Sequence, residues 1–246
     1  MLDFAFVNIK NTPNTGDQVC TPYLYFDFPN AEHFHVDDKV PDCKVAVYGG
    51  GAIEPYLRVH RIHDSVNAKK KVSWAIGTSR SGTKDHGELV NDLDICSVRE
   101  LNREGGDYVP CVSCMSPLFD QKYEVDQEVV FYKHAKKTKD GTLEGLPQMS
   151  NRAPFDEVIE FLGRSQTVVT NSFHGVYWAT LLGKKVVCIP FSSKFYGFKY
   201  PPAYAKWETW ERQVQKAVSH TEALEDCRTI NAAFYDRVIA LHNTVG

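Results

Sequence analysis

The stretch that most narrows what this chain can fold into runs from Ser165 to Phe191. A β-branched run, Thr167-Val168-Val169-Thr170, meets Asn171-Ser172-Phe173-His174-Gly175 and then an apolar stretch, Val176 to Leu182, that stops at Gly183. β-branched residues fit a pleated strand, and glycine best takes the left-handed turn past a helix end. Lys185-Val186-Val187-Cys188-Ile189-Pro190-Phe191 is a second short apolar strand closed by proline. Strand, helix and strand at this length form a βαβ unit, which requires a parallel sheet. Its polar residues collect at the carboxyl end of a strand and the amino end of a helix. Unpaired N–H groups and the helix dipole favour an anion there, and open α/β sheets hold their ligands at that edge. Asn171, Ser172, Phe173, His174 and Gly175 are therefore candidate site residues. A second reading stays open, in which Asn171 and Ser172 cap the helix and His174 satisfies a loop carbonyl.

The same order recurs upstream. Phe4 to Ile9 reads as a strand and runs into the turn-rich Asn11-Thr12-Pro13-Asn14-Thr15-Gly16-Asp17, with Gln18 to Phe28 as the connection. Asn14, Gly16 and Asp17 thus stand at a ligand edge, although Asn-Thr-Gly-Asp is equally a turn with a helix cap. Lys44 to Tyr48 is a strand entering Gly49-Gly50-Gly51-Ala52, and a helix is expected from about Ile53 to Val66. Gly50 and Gly51 allow close approach of a ligand or of another backbone, but no full G-x-G-x-x-G is present. Lys71 to Gly77 and Asp94 to Glu100 add two strands. Arg99 ends the second and opens a helix-like Leu101-Asn102-Arg103. Four such strands predict a doubly wound parallel sheet.

The pattern weakens between about Asp107 and Gln127, which sets a domain crossover and predicts domains 1–120 and 121–246. Glu128 to His134 opens a second set of strands. Phe155, Val158, Ile159 and Leu162 share one helical face that ends at Gly163. After Phe191 the loop 192–202 is rich in aromatics and lysines, Lys194 among them. An acceptor-binding loop and a packed surface loop both fit it. Trp207, Trp210, Val214 and Ala217 form a helical stripe suited to core packing or to a membrane surface. Leu224, Cys227, Asn231, Phe234, Val238 and Leu241 predict a final helix with one polar residue in its buried face.

With 246 residues, a net charge of -3 and no basic excess, the chain does not look like a nucleic-acid binder. An acid at position 3 and a short apolar start give no signal peptide or membrane span, so a cytoplasmic location is expected. Seven scattered cysteines do not resemble a disulfide framework, and Cys111-Val112-Ser113-Cys114 lacks a second pair to complete a zinc site. His33/His35 and His60/His63 read as surface histidines, and no metal site is expected.

Taken together, Asn14-Thr15-Gly16-Asp17, the triple glycine, Ser97-Val98-Arg99-Glu100 and Thr170 to Gly175 followed by Leu182-Gly183-Lys184-Lys185-Val186 resemble the polysaccharide pyruvyl transferase family. The likeness runs from Asn14 to about Pro190. It implies an α/β fold of two Rossmann-like domains whose parallel sheets face a cleft, the GT-B-like arrangement, with a donor-binding segment at 165–191. It implies transfer of a ketal-linked pyruvate from phosphoenolpyruvate, a co-substrate, to a sugar of an exopolysaccharide or capsule or its lipid-linked precursor. Peripheral contact with the inner membrane surface would follow, with no cofactor. On this likeness His174 is the acid/base, Asp17 orients or deprotonates an acceptor hydroxyl, and Arg99 clamps the donor. Asn14, Gly16, Gly50, Gly51, Asn171, Ser172, Phe173, Gly175 and Lys194 bind substrates. The sequence departs from the family where Ser172-Phe173-His174 stands for Arg-Leu-His and Ser116-Pro117 for Asp-Pro. Two alternatives therefore remain, a glycosyltransferase using a nucleotide-sugar and an inactive sugar-binding relative.

Overall fold

The computed structural model describes residues 1–89, 92–101, 103–139 and 141–245. The first of its two wholly parallel sheets contains β1 (Leu2–Asn8), β2 (Ala31–His35), β3 (Cys43–Gly49) and β4 (Ala68–Trp74), ordered β2-β1-β3-β4. Helix α1 (Thr15–Gln18) follows β1 and α2 (Glu54–Arg58) follows β3. A two-stranded ribbon, β5 (Ser97–Val98) with β6 (Asp107–Tyr108), joins its edge through bridges from Val72 to Ile95 and from Ile76 to Val98. The second sheet is built from β7 (Gln127–Lys133), β8 (Gln148–Ser150), β9 (Ser165–Thr170), β10 (Lys185–Cys188) and β11 (Ala203–Tyr204), ordered β11-β10-β9-β7-β8. Helices α3 (Phe155–Gly163), α4 (Phe173–Leu181), α5 (Trp210–Val214) and α6 (Ala223–Asn243) complete the described structure. None of the described helices is long and apolar enough to cross a membrane.

Both sheets are covered on both faces, which is why their strands read as unbroken apolar runs. In β1, Phe4 and Phe6 enter one core while Ala5 and Val7 enter another. In β9, Val168 and Val169 divide in the same way. Helix α4 has all nine residues buried, consistent with apolar residues all round its surface. It can lie this close to the sheet because residue 175 is glycine, where a Cβ would strike Thr170 Oγ1 and the Tyr132 ring. Gly183, at φ +67°, takes the left-handed turn that ends the helix.

Trp207, Trp210, Val214 and Ala217 pack against Phe131, Val169 and Val187 of the second sheet, the core alternative of the two expected, but only Trp210–Val214 is helical, so Trp207 and Ala217 reach that core from the flanking segments. The final helix, expected within the carboxyl-terminal half, packs on both halves. Ala223 and Cys227 enter the core of the second sheet, and Phe234 and Val238 that of the first. Asn231 sits between them, fully buried. It accepts from Trp74 Nε1 at 2.9 Å and donates to the carbonyls of Pro110 (3.2 Å) and Cys227 (3.0 Å).

Three local expectations are corrected. The helix from Ile53 stops at Arg58, because Arg61 adopts φ +48° and the chain folds so that Arg61 and His63 gather Asp64 and Asp92. His63 is accordingly buried rather than at the surface. No helix forms at Leu101 or Arg103, where Arg103 turns inward to Glu54 and Glu100, while Asn102 lies outside the described residues. The polar segment 31–35 is an edge strand, a position that tolerates the charge of Glu32 and the polar histidines; His33 is half-buried there rather than at the surface, and burial and the neighbouring Lys10 lower its pKa to about 4.

Candidate functional site

The carboxyl ends of the strands from both sheets converge on one cavity of about 230 Å³. Asn14 and Asp17 reach it from the loop after β1, Ala52 from β3, Ser79 from β4 and Arg99 from β5. From the second sheet come His134 and Lys137 after β7, Asn151 after β8, Ser172, Phe173 and His174 after β9, and Phe191 and Lys194 after β10. The edge is the one at which parallel α/β sheets hold ligands, and here two sheets supply it at once.

The lining is electropositive, with Arg99, Lys194 and Lys137 against a single acid, Asp17. Arg99 is only 5% exposed. Its guanidinium lies 3.8 Å above the Phe173 ring, and the room it needs exists because residue 77 is glycine, where a Cβ would overlap it. Arg99 Nε stands 3.6 Å from Glu100 Oε1 and has no hydrogen-bond partner among the described residues. Glu100 is shared, since it also accepts from the Thr78 N–H at 3.1 Å and faces Arg103 at 3.6 Å. The charge of Arg99 is therefore only partly offset from behind, and a buried cation in that state favours an anion in front of it.

Lys194 projects over the rings of Phe191 (4.7 Å) and Phe195 (5.1 Å). Burial and the neighbouring Arg99 bring its pKa down to about 7, against the opposing pull of Asp17. Asp17 moves the other way, because desolvation raises it despite the hydrogen bond from Asn14 and the nearby cations. His174 is 6% exposed, its ring tilted by 31° against Trp178 with centroids 4.9 Å apart, and its Nε2 lies 3.6 Å from Cys111 Sγ. Burial, then Arg99 and Lys194, hold it well below the usual histidine range, so it is neutral at physiological pH. His134 is lowered to about 4 by burial and by Lys194.

A chain of amides crosses the cleft. The Ala135 N–H donates to Asn151 Oδ1 (2.9 Å), Asn151 Nδ2 to Asn14 Oδ1 (3.0 Å), and Asn14 Nδ2 to Asp17 Oδ2 (2.6 Å). The second sheet thereby fixes an acid that hangs from the first. Ser172 is the N-cap of α4 by position, yet its side chain makes no capping hydrogen bond. The first-turn N–H groups of α4 thus keep their capacity for an anion at the cavity wall.

Of the residues singled out in the sequence, Asn14, Asp17, Arg99, Ser172, Phe173, His174 and Lys194 line this cavity together. The others stand behind it. A Cβ on Gly16 would overlap the His174 ring; Gly50, at φ +81°, abuts the Cys20 carbonyl; a Cβ on Gly51 would come within 3.2 Å of Asp17 Oδ1. Gly175 lets α4 close on β9. Asn171 is engaged elsewhere, accepting from the His134 N–H at 2.8 Å and donating to Thr138 Oγ1 at 2.9 Å, so it ties down the loop after β7. Ala52, Asn151, His134, Lys137, Ser79 and Phe191 complete the lining without having been singled out. His134 and Phe191 at least sit at predicted strand ends, whereas Asn151 lies in a polar stretch that carries no local signal.

Two parallel sheets with helices on their faces define an α/β protein of Rossmann-like type. No protein-family model matches the sequence, and no match is found among curated proteins. Among solved structures, an uncharacterized protein from Klebsiella pneumoniae subsp. pneumoniae NTUH-K2044 is similar, with a TM-score of 0.52 and 16% identity, over 77% of this chain and 83% of that one. At that identity the similarity concerns the fold alone.

Proposed function

We propose that this chain is a ketal-pyruvate transferase of the polysaccharide pyruvyl transferase type, with its two Rossmann-like halves in a GT-B-like arrangement around a common donor cleft. The observation that carries the reading is the small electropositive cavity, in which Arg99, Lys194 and the amino end of α4 surround the neutral His174. In the reaction, two sugar hydroxyls add to C2 of phosphoenolpyruvate. One hydroxyl proton is balanced by protonation of C3, and the other leaves with phosphate. Such a step needs fixed cations for a carboxylate and a phosphate, together with groups that take and give protons.

Arg99 offers a planar fork for the carboxylate or phosphate, and Lys194 a point charge. They supply the charge that Ser172, standing in place of the expected arginine, does not. A neutral His174 can accept a proton from an acceptor hydroxyl, and a bound anion beside it would favour the imidazolium that returns it. Asp17, held by Asn14, suits orientation of the second hydroxyl. A volume of about 230 Å³ fits a three-carbon acid with one phosphate and is small for a nucleotide-sugar.

Phosphoenolpyruvate incubated with the protein and a panel of glycosyl acceptors is expected to release phosphate, and His174→Ala to abolish that release. Absence of release with every acceptor, joined to protection of the protein by a nucleoside diphosphate in thermal melts, would replace this reading with nucleotide-sugar transfer.

A further inference from the structure

We propose that a second, open groove beside the cavity, walled by Tyr196, Tyr204 and Trp207 and rimmed by Lys84, binds the acceptor as a linear saccharide. This inference rests on the transferase reading for the word acceptor, while the groove itself is argued from its own geometry. The groove encloses about 790 Å³, several sugar units' worth of space rather than one small anion's.

Its rings are fixed in advance. Tyr196 and Tyr204 stack with centroids 5.1 Å apart and planes 30° apart, and the Tyr204 hydroxyl donates to the Phe195 carbonyl at 2.6 Å. Trp207 stands edge-on to the buried Phe131 at 5.9 Å, so the core of the second sheet holds it from below. Half-exposed aromatic rings that are already ordered cost little entropy on binding, and the outward faces of Tyr204 and Trp207 match the C–H faces of pyranose rings, while Tyr196, stacked on Tyr204 with Lys84 over its ring, braces them. Polar side chains stand where hydroxyls would fall. Lys84 Nζ lies 4.9 Å from the Tyr196 centroid, and Lys206, Glu208 and Thr209 also line the groove. Both charge signs occur on that rim, which suits a neutral polyhydroxyl chain better than a polyanion.

Groove and cavity are lined from neighbouring positions of the same two chain segments, with no lining residue in common. Lys194 lines the cavity and Tyr196 the groove, two peptide units apart, so their Cα atoms are separated by at most ~7.6 Å. On the facing side, Ser79 lines the cavity and Lys84 the groove. These two segments are fastened to each other: the Arg80 N–H donates to Ser193 Oγ (3.0 Å), the Ser193 N–H to the Arg80 carbonyl (2.9 Å), and the Ser79 and Ser192 hydroxyls meet at 2.9 Å. The loop 192–202 divides accordingly. Phe195 and Phe198 turn into the core, and Tyr196 faces the groove.

Titration of the full chain with cellotetraose, maltotetraose and a β-1,3-linked galactotetraose, read by tryptophan fluorescence and by saturation-transfer NMR, tests the groove without donor present. At least one tetrasaccharide should bind. Tyr196→Ala should weaken it by roughly tenfold, Tyr196→Phe should retain it, and Lys84→Ala, an exposed change that leaves the core alone, should weaken it several-fold. The proposal is overturned if none of the three binds, or if Tyr196→Ala and Lys84→Ala bind as the parent does. Phosphoenolpyruvate titrated separately reports on the cavity. Saccharide binding without phosphoenolpyruvate binding would remove the donor reading and leave the groove, and the reverse result would remove the groove and leave the donor.

Discussion

Lys194 gives the site a pH dependence that can be worked from the structure. Its pKa of about 7 lies far below the ordinary 10.5 because the ammonium is buried over two phenyl rings and faces Arg99. The unfolded chain therefore binds more protons than the folded one between these two values. Lys194 thus destabilises the fold in full below about pH 7, and stability rises with pH from there toward 10.5. An anion in the cavity reverses the preference, since it favours the charged lysine. Oxalate, whose own charge is constant above pH 6, is a suitable probe. With a pKa of about 7, roughly nine-tenths of the free protein carries the Lys194 proton at pH 6, and about one hundredth at pH 9. If the charged lysine is the form that binds, affinity falls by roughly ninetyfold across that range. The exchange of one charge-assisted hydrogen bond, about 1.5–3 kcal/mol, gives the same order. His134, at about 4, does not titrate in this window, and His174, well below its ordinary value, is neutral across it. Calorimetry from pH 6 to 9 should show this decline for the parent protein and flat profiles for Lys194→Gln, which binds weakly, and Lys194→Arg, which stays charged. Equal slopes in the parent and in Lys194→Gln would refute the reasoning.

Two further changes probe the supports of the site. Asn231→Ala strips the Trp74 N–H and the Pro110 carbonyl of their partner in a fully buried place, and should cost about 2–3 kcal/mol, seen as a lower urea midpoint at constant slope. A midpoint unchanged within about 0.5 kcal/mol would mean that α6 does not join the two sheets through this residue. Gly77→Ala adds a methyl where the Arg99 guanidinium lies, and should weaken oxalate binding by at least about tenfold while the far-ultraviolet circular dichroism is retained. Undiminished binding would show that Arg99 is not held in place by this contact.

The βαβ unit at 165–191 was legible because strand and helix there are each specified by neighbours in sequence: Val168 and Val169 for the two faces of the sheet, Gly183 for the helix end. The helix expected from Ile53 failed for a reason outside that window, since Arg61 and His63 find Asp92 some thirty residues away. Strand β2 was missed because an edge strand can carry Glu32 and two histidines where a central strand cannot. The site divides along the same line. Asp17, Arg99 and His174 stand at strand ends that periodicity reveals, and the structure brings them to one cavity. Asn151 reaches Asn14 across 137 positions, a pairing that no local pattern encodes. Asn171 looked like a ligand and serves as a fastening, because a capping asparagine and a binding one are written identically.

Isothermal titration of phosphoenolpyruvate into the parent protein and Arg99→Ala tests the central claim most directly. A donor cavity built on Arg99 predicts one saturable site per chain in the parent, weakened in Arg99→Ala by about 1.5–3 kcal/mol, or roughly ten- to 150-fold. No heat with phosphoenolpyruvate, or equal affinity in the two proteins, would contradict it.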